Sequence, residues 1–177
     1  MLLEPRGILH VAPGVMMATQ TIAPCLWFDG CAEEAAAFYV SLFSNSRIHR
    51  VIPSPIDTPG APSGSPILVE FSLAGQRYQA LNGGPHEAFN DAISLSVSCS
   101  DQAEVDRLWE ALTAGGGRPI QCGWLKDRFG VSWQIVPEPL IDMIADSEPE
   151  KAKRVMEAMV RMTKIDIGEL RDAYRGR

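Results

Sequence analysis

The residues that could do chemistry are mostly neutral, and they sit in strand-like patterns. The run Cys122–Pro137 reads Cys-Gly-Trp-Leu-Lys-Asp-Arg-Phe-Gly-Val-Ser-Trp-Gln-Ile-Val-Pro. Two short apolar runs flank a turn supplied by Asp127, Arg128 and Gly130. In an extended chain, Ser132, Gln134 and Val136 share one face, and Trp133 and Ile135 share the other. An amide therefore interrupts an otherwise apolar strand face. Upstream, Ser94, Ser96 and Ser98 alternate with Ile93, Leu95 and Val97, which lays three hydroxyls on one face. Buried polar groups need partners, and core packing gives no reason for so many hydrogen-bonding groups; a small polar or mixed ligand, or ordered water, would supply the partners. Acid–base chemistry has less to draw on. Asp29 and Asp127 fall in turns, which leaves Glu70, alternating with Val69 and Phe71, as the one acidic candidate for a catalytic role. The four cysteines, Cys25, Cys31, Cys99 and Cys122, form no Cys-x-x-Cys pair. They read as free buried thiols of a reducing cytoplasm, not as a zinc site.

The elements that must position these groups recur. Residues 21–28 read as a strand with Pro24 at an edge or bulge, and Asp29-Gly30 turns the chain. Residues 32–43 read as a helix, with Ala35, Phe38, Tyr39, Leu42 and Phe43 on its apolar stripe. A strand follows over 47–52. The loop Pro53–Pro66, rich in proline, is expected at the surface and mobile, a candidate lid. Residues 67–73 and 76–82 form a hairpin about Ala74-Gly75, and a linker covers 86–91. The pattern then restarts: a strand over 93–99, an N-cap at Asp101 with Glu104 as its capping-box partner, a stripe of Val105, Leu108, Trp109 and Leu112, a stop at Gly115–Gly117, and three strands near 119–122, 124–126 and 131–136. Leu95 lies 69 residues after Leu26, and Leu108 lies 70 after Phe38. Strand–helix–three strands thus occurs twice, an α+β fold of paired βαβββ modules. The strand faces away from the helices are expected to join as one curved sheet around a cleft. Helices follow over 139–146 and from Pro149 to about Met162, the second with a Met-rich apolar stripe, and residues 169–174 read as a last helical turn.

A chain of 177 residues, 46% hydrophobic, has enough apolar material for a core. The expected organisation is an N-terminal arm over 1–18, a first module over 19–84, a second over 85–138 and a helical segment over 139–177. Short apolar patches broken by prolines and glycines do not make a secretory signal of residues 1–16, and Met16 or Met17 could serve as the start instead of Met1. The net charge of −6, with no basic stripe, argues against nucleic acid and anionic membranes as general partners, and no apolar run has the length of a membrane span.

Leu26-Trp27-Phe28-Asp29-Gly30, Ala32-Glu33-Glu34-Ala35 with Phe38-Tyr39, Leu81-Asn82-Gly83-Gly84-Pro85 and the run Cys122–Pro137 together resemble the PhnB-like proteins of the glyoxalase/bleomycin resistance, or vicinal oxygen chelate, superfamily, a branch that carries the label 3-demethylubiquinone methyltransferase-like. The resemblance covers residues 21 to about 167. It implies a homodimer, a pocket inside each curved sheet and, in metal-dependent members, a divalent ion held by His or Glu on the first and last strands of the modules. Here those positions correspond to Gln134, to Ala92 or Ser94, to Ala23 or Cys25, and to Asn82. None is a His or a carboxylate, so no tightly bound metal or other cofactor is expected. His86 reads as a loop residue. Neither Asn82-Gly83-Gly84 nor Gly115-Gly116-Gly117 lies between a strand and a helix, so a nucleotide-type methyltransferase site is not expected. The expectation is a cytoplasmic homodimeric pocket protein that binds or transforms a small oxygenated or aromatic compound. Trp27 and Trp124 would enclose the ligand, and Asn82, Ser94, Ser96 and Gln134 would orient it. The alternatives are a divalent-metal-dependent lyase or dioxygenase-type enzyme, a sequestering resistance-type protein, and an assembly module built on the Met-rich helix.

Overall fold

A computed structural model describes residues 20–177, and the arm expected over 1–18 lies outside the described residues. The first repeat is β1 (Cys25–Phe28), α1 (Ala32–Leu42), β2 (Arg47–Pro53), β3 (Pro66–Leu73) and β4 (Gln76–Asn82). The second is β5 (Leu95–Cys99), α2 (Gln102–Thr113), β6 (Arg118–Pro119), β7 (Trp124–Lys126) and β8 (Ser132–Pro137). Each repeat makes a four-stranded sheet, ordered β1-β4-β3-β2 and β5-β8-β7-β6. In each sheet the first and last strands of the repeat pair in parallel and the other pairs are antiparallel. The α+β class and the doubled βαβββ unit are as the patterning predicts. Both first strands are shorter than predicted, because Pro24 has no N–H for a ladder and residues 93–94 precede the paired register.

Local chemistry explains the joints. Ala74 and Gly75 both take positive φ, 47° and 84°, the mirror-image turn that matches strand twist and closes the β3–β4 hairpin at Leu73↔Gln76. At the start of α2, the Asp101 carboxylate accepts from the Glu104 N–H at 2.9 Å. The Glu104 carboxylate reaches back to the Ser100 N–H, one residue earlier than a standard capping box. α1 has no such cap of its own.

The largest apolar surfaces decide how the modules meet. Leu26, Phe28, Val69, Phe71 and Ala80 pack on Ala32, Ala35, Ala36 and Tyr39 of α1, and Leu125, Trp133 and Ile135 belong to the same core as Val105, Leu108 and Leu112 of α2. Tyr39 also lies 5.3 Å from Trp133, and Phe43 stacks on that indole at 5.8 Å. The helices therefore lie between the two sheets, and the opposite sheet faces look outward. The expected single curved sheet does not form within one chain. Among the described residues, β1 and β5 each have a strand neighbour on one side only.

Asp127 fastens this arrangement. It is 3% exposed and accepts four hydrogen bonds: Oδ2 from the Tyr39 hydroxyl at 2.7 Å and the Trp133 indole N–H at 2.8 Å, Oδ1 from the N–H groups of Phe129 at 2.8 Å and Val131 at 3.1 Å. Turn chemistry alone placed Asp127 between two strands and gave no sign of this burial. Next to it, the Arg128 guanidinium lies 4.3 Å from the Phe38 ring centre and 4.7 Å from that of Phe129, and pairs with Glu34 at 3.2 Å.

The Pro53–Pro66 loop is tied down, not an open excursion. The Ser54 N–H donates to the Ser65 carbonyl and the Ser54 carbonyl accepts from the Gly64 N–H, Ser54 donates its hydroxyl to the Ile56 carbonyl, and Ala61 is buried. Gly60 lies so close to the end of β4 that a Cβ there would stand 2.3 Å from the Asn82 carbonyl oxygen.

After β8, α3 (Glu138–Ile144), α4 (Pro149–Met159) and α5 (Ile167–Arg175) enclose a satellite core of Leu140, Val155, Ala158, Met162, Ile165 and Leu170. This segment docks through backbone: the N–H groups of Cys122 and Gly123 donate to the carbonyls of Met162 and Thr163 at 2.8 and 2.9 Å. Pro149 opens α4 as expected. Met159 packs on the satellite core, but Met156 is exposed. Of the four free thiols only Cys99 is buried; Cys25 is exposed, and Cys31 and Cys122 are half-buried, against the expectation of four buried thiols.

Candidate functional site

The outward faces of the two sheets carry the predicted site residues, with one exception. On the second sheet the register sets Ser96 beside Gln134 and Gln134 beside Trp124. The Gln134 amide donates to the Ser94 hydroxyl at 2.8 Å. Ser96 and Ser98 are exposed, and Trp124 and Gln134 half-buried. Ser132, one pair along, donates to Asp91 at 2.7 Å, and Asp91 pairs with Lys126 at 3.0 Å. Ser94, Ser96, Trp124 and Gln134 thus share one face, and it is open in a single chain.

On the first sheet, Trp27 occupies the outward face and donates its indole N–H to the Gly84 carbonyl at 2.8 Å. Its ring lies against Gly83, where a Cβ would come within 2.2 Å of it; only glycine lets the ring sit there. Asn82 is the exception. Its side chain points to the helix side and is buried, with Oδ1 accepting from the Ala32 N–H at 2.9 Å and Nδ2 donating to the Pro66 carbonyl at 2.8 Å. It supplies the cap that α1 lacks and pins the start of β3, so both ends of its amide are engaged away from the face where the other five lie. The six residues therefore do not meet in one chain: four lie on one sheet, Trp27 on the other, and Asn82 in the interior.

Register exposes a row that alternation along single strands did not reveal. Cys25 lies beside Gln79, Gln79 beside Glu70, and Glu70 beside Arg50, across all four strands of the first sheet. Arg50 binds the Glu70 carboxylate at 2.9 Å. That hydrogen bond, with the charges of Arg50 and Arg77 and a further bond from Gln79, holds the Glu70 carboxyl below the usual carboxylate range. Glu70 is thus ionised and engaged, a poor general acid. Although Cys25 is exposed as a residue, partial desolvation by its surroundings pushes its thiol up, so it is not a ready thiolate. The bulge between Ile48 and Arg50 places Arg50 opposite Glu70, and simple alternation from residue 47 cannot see it.

A separate hollow of about 490 Å³ opens where the modules meet, lined by Phe43, Tyr78, Leu95, Val97, Arg107 and Trp133 among others. Of the predicted residues only Ser96 reaches it. His86 lies exposed in the linker.

Among the described residues, no group of three His, Cys, Asp or Glu side chains converges as metal ligands would. Gln134 and Ser94 are neutral donors hydrogen-bonded to each other, and the Glu70 carboxylate is taken by Arg50. This donor set does not fit a tightly held divalent ion.

The sequence profile of a family described as 3-demethylubiquinone-9 3-methyltransferase matches residues 20–136, which end within β8. Among solved structures, a PhnB protein from Bacillus cereus is 33% identical, with 67% of this chain and 99% of that one covered and a TM-score of 0.61. A protein from Pseudomonas aeruginosa is 24% identical, with 68% and 98% covered and a TM-score of 0.57. No curated protein sequence matches.

Proposed function

The chain belongs to the PhnB-like, 3-demethylubiquinone-9 3-methyltransferase family of the glyoxalase/bleomycin resistance superfamily, and we propose that it is a homodimeric small-molecule pocket protein, without a tightly bound metal, that takes a small oxygenated or aromatic compound. The observation that carries this reading is the outward pair of sheet faces. Each combines an indole with hydrogen-bonding side chains and is left open in one chain, beside β1 on one sheet and β5 on the other. Ile22 and Ile93, just before those strands, are 85% and 69% exposed. A second copy that sets its β5 along β1 would cover both isoleucines and turn two open faces into one hollow. Trp27 and Trp124 would then enclose the ligand, with Ser94, Ser96 and Gln134 orienting it.

The engagement of Glu70 by Arg50 favours binding over acid–base turnover. A methyltransferase of the doubly wound type is disfavoured by two mostly antiparallel sheets with no parallel core. Among the described residues, no helix is long and apolar enough to cross a membrane, and a cytoplasmic setting fits four unpaired thiols.

Gln134→Leu tests the site. The side chain is half-buried and among the described residues its partner is Ser94, so the fold should survive while ligand affinity falls by about tenfold or more. Unchanged affinity for an aromatic probe would remove Gln134, and with it the second sheet's face, from the site.

A further inference from the structure

The outward face of the first sheet is graded, and its gradation specifies a ligand class. Three cross-strand rows follow one another. Arg47, Ser72 and Arg77 form the first; Arg50, Glu70, Gln79 and Cys25 the second; Ile52, Leu68, Leu81 and Trp27 the third. Successive rows are two residues apart along β3 and β4, and the β2 bulge adds one residue between Arg47 and Arg50, so the first and third rows are separated by about 13 Å along β3. Three arginines face one carboxylate here, on a chain whose net charge is −6. Arg50 is held by Glu70, and among the described residues the Arg47 guanidinium donates to the His49 ring at 3.3 Å and pairs with no carboxylate. The third row ends at the indole of Trp27, fixed by Gly83 and Gly84, and the anchored loop stands behind it at Pro59 and Gly60.

We infer that the ligand is an aromatic or otherwise flat apolar acid, whose anionic group is seated by Arg47, Arg50 and Arg77 and whose apolar body lies on Leu81, Leu68 and Trp27. This rests on the reading of the outward faces as the ligand site. Guanidinium groups pair with carboxylate, phosphonate and phosphate oxygens in the same fork geometry, so the shared chemistry is an oxyanion attached to an apolar body. Glu70 acts as the counter-charge that holds Arg50 in place and keeps the row from attracting anions indiscriminately. Among the described residues three guanidinium groups share one carboxylate on this face, so a cationic ligand would meet net positive charge.

The test is calorimetric titration of the full chain with 2-naphthoate, its neutral isostere 2-naphthamide and inorganic phosphate. Naphthoate should bind about tenfold more tightly than the amide, and more tightly than phosphate alone. The preference should vanish in the double variant Arg47→Gln/Arg77→Gln with its melting temperature unchanged, and naphthoate should bind severalfold more tightly to Glu70→Gln. If acid and amide bind equally, or if the preference survives the double variant, the acidic-ligand inference is overturned and the pocket reading stands. If phosphate binds as tightly as naphthoate, the apolar third row plays no part and the inference is overturned as well. If neither naphthyl probe binds, both the inference and the pocket reading fall.

Discussion

Asp127 shows how one side chain can serve a whole molecule. Burial pushes its carboxyl up, and the hydrogen bonds from Trp133, Tyr39 and two backbone amides pull against that shift without cancelling it. Burial first, then the charge of Asp127, pushes the Tyr39 hydroxyl well above its ordinary range, so it stays a donor. Asp127→Ala would leave the Tyr39 hydroxyl, the Trp133 indole N–H and two amides without an acceptor, at a cost of about 3–5 kcal/mol in denaturant unfolding. The pH dependence has a defined sign. The folded state binds the Asp127 proton more tightly than the unfolded state, so the contribution of this group to stability is greatest in acid. It declines as pH rises from the ordinary carboxylate value through the raised folded value. Glu70, Asp91, Asp106 and Asp146 act oppositely: their carboxyls are lowered by their partners, so what they add is present above the ordinary range and lost as pH falls. Comparing wild type with Asp127→Asn from about pH 3 to 7 isolates the first effect; a stability difference that stays flat over that range would contradict it.

At the scale of elements, the segment behind Trp27 is a stack of close approaches. Gly60 touches the end of β4, Gly84 lies against Pro59, and Trp27 lies on Gly83. The loop 53–66 is therefore packed closely against the end of β4 and the segment that follows it. Gly60→Ala sets a Cβ against backbone, 2.3 Å from the Asn82 oxygen and 2.4 Å from the Gly84 nitrogen, and neither can rotate away. About 1–3 kcal/mol of destabilisation is expected in thermal or denaturant unfolding, with weaker ligand binding because Trp27 shifts with the segment. A Gly60→Ala variant as stable as wild type would mean that the loop yields freely and can act as a lid.

At the scale of the molecule, the two sheets turn their aromatic faces to the helices and their hydrogen-bonding faces outward. The dimer proposed from this makes a sharp prediction. Ile93→Lys places a charge at a site 69% exposed in one chain, so the monomer fold should be unaffected. Sedimentation should show the dimer dissociating at least about tenfold more readily, with ligand affinity falling in step. A variant that dimerises like wild type would place any contact between copies elsewhere. The helices α3–α5, beyond the matched span, would be unaffected by this change. They are held by Cys122, Gly123 and the Gln102 side chain, which donates to the Ile165 carbonyl and accepts from the Ile167 N–H.

Short-range patterning determined the elements of this protein. The hairpin at Ala74-Gly75, the cap at Asp101, the start of α4 at Pro149 and the repetition of a βαβββ unit all follow from periods of 2 and 3.6 residues and from turn chemistry, which act within a few positions. The same alternation told which strand residues share a face, as Ser94 and Gln134 do. It did not reach Asn82, because a side chain that caps a helix 50 residues away cannot be told by strand spacing from one that holds a ligand. Nor did it reach the Arg50–Glu70–Gln79–Cys25 row, which exists only once a bulge has set the register of four strands. Tertiary structure alone chose which sheet faces meet. Both faces of each sheet were candidates, and the aromatic sides, with more apolar area to remove from water and with Asp127 to satisfy their polar tips, took the interior.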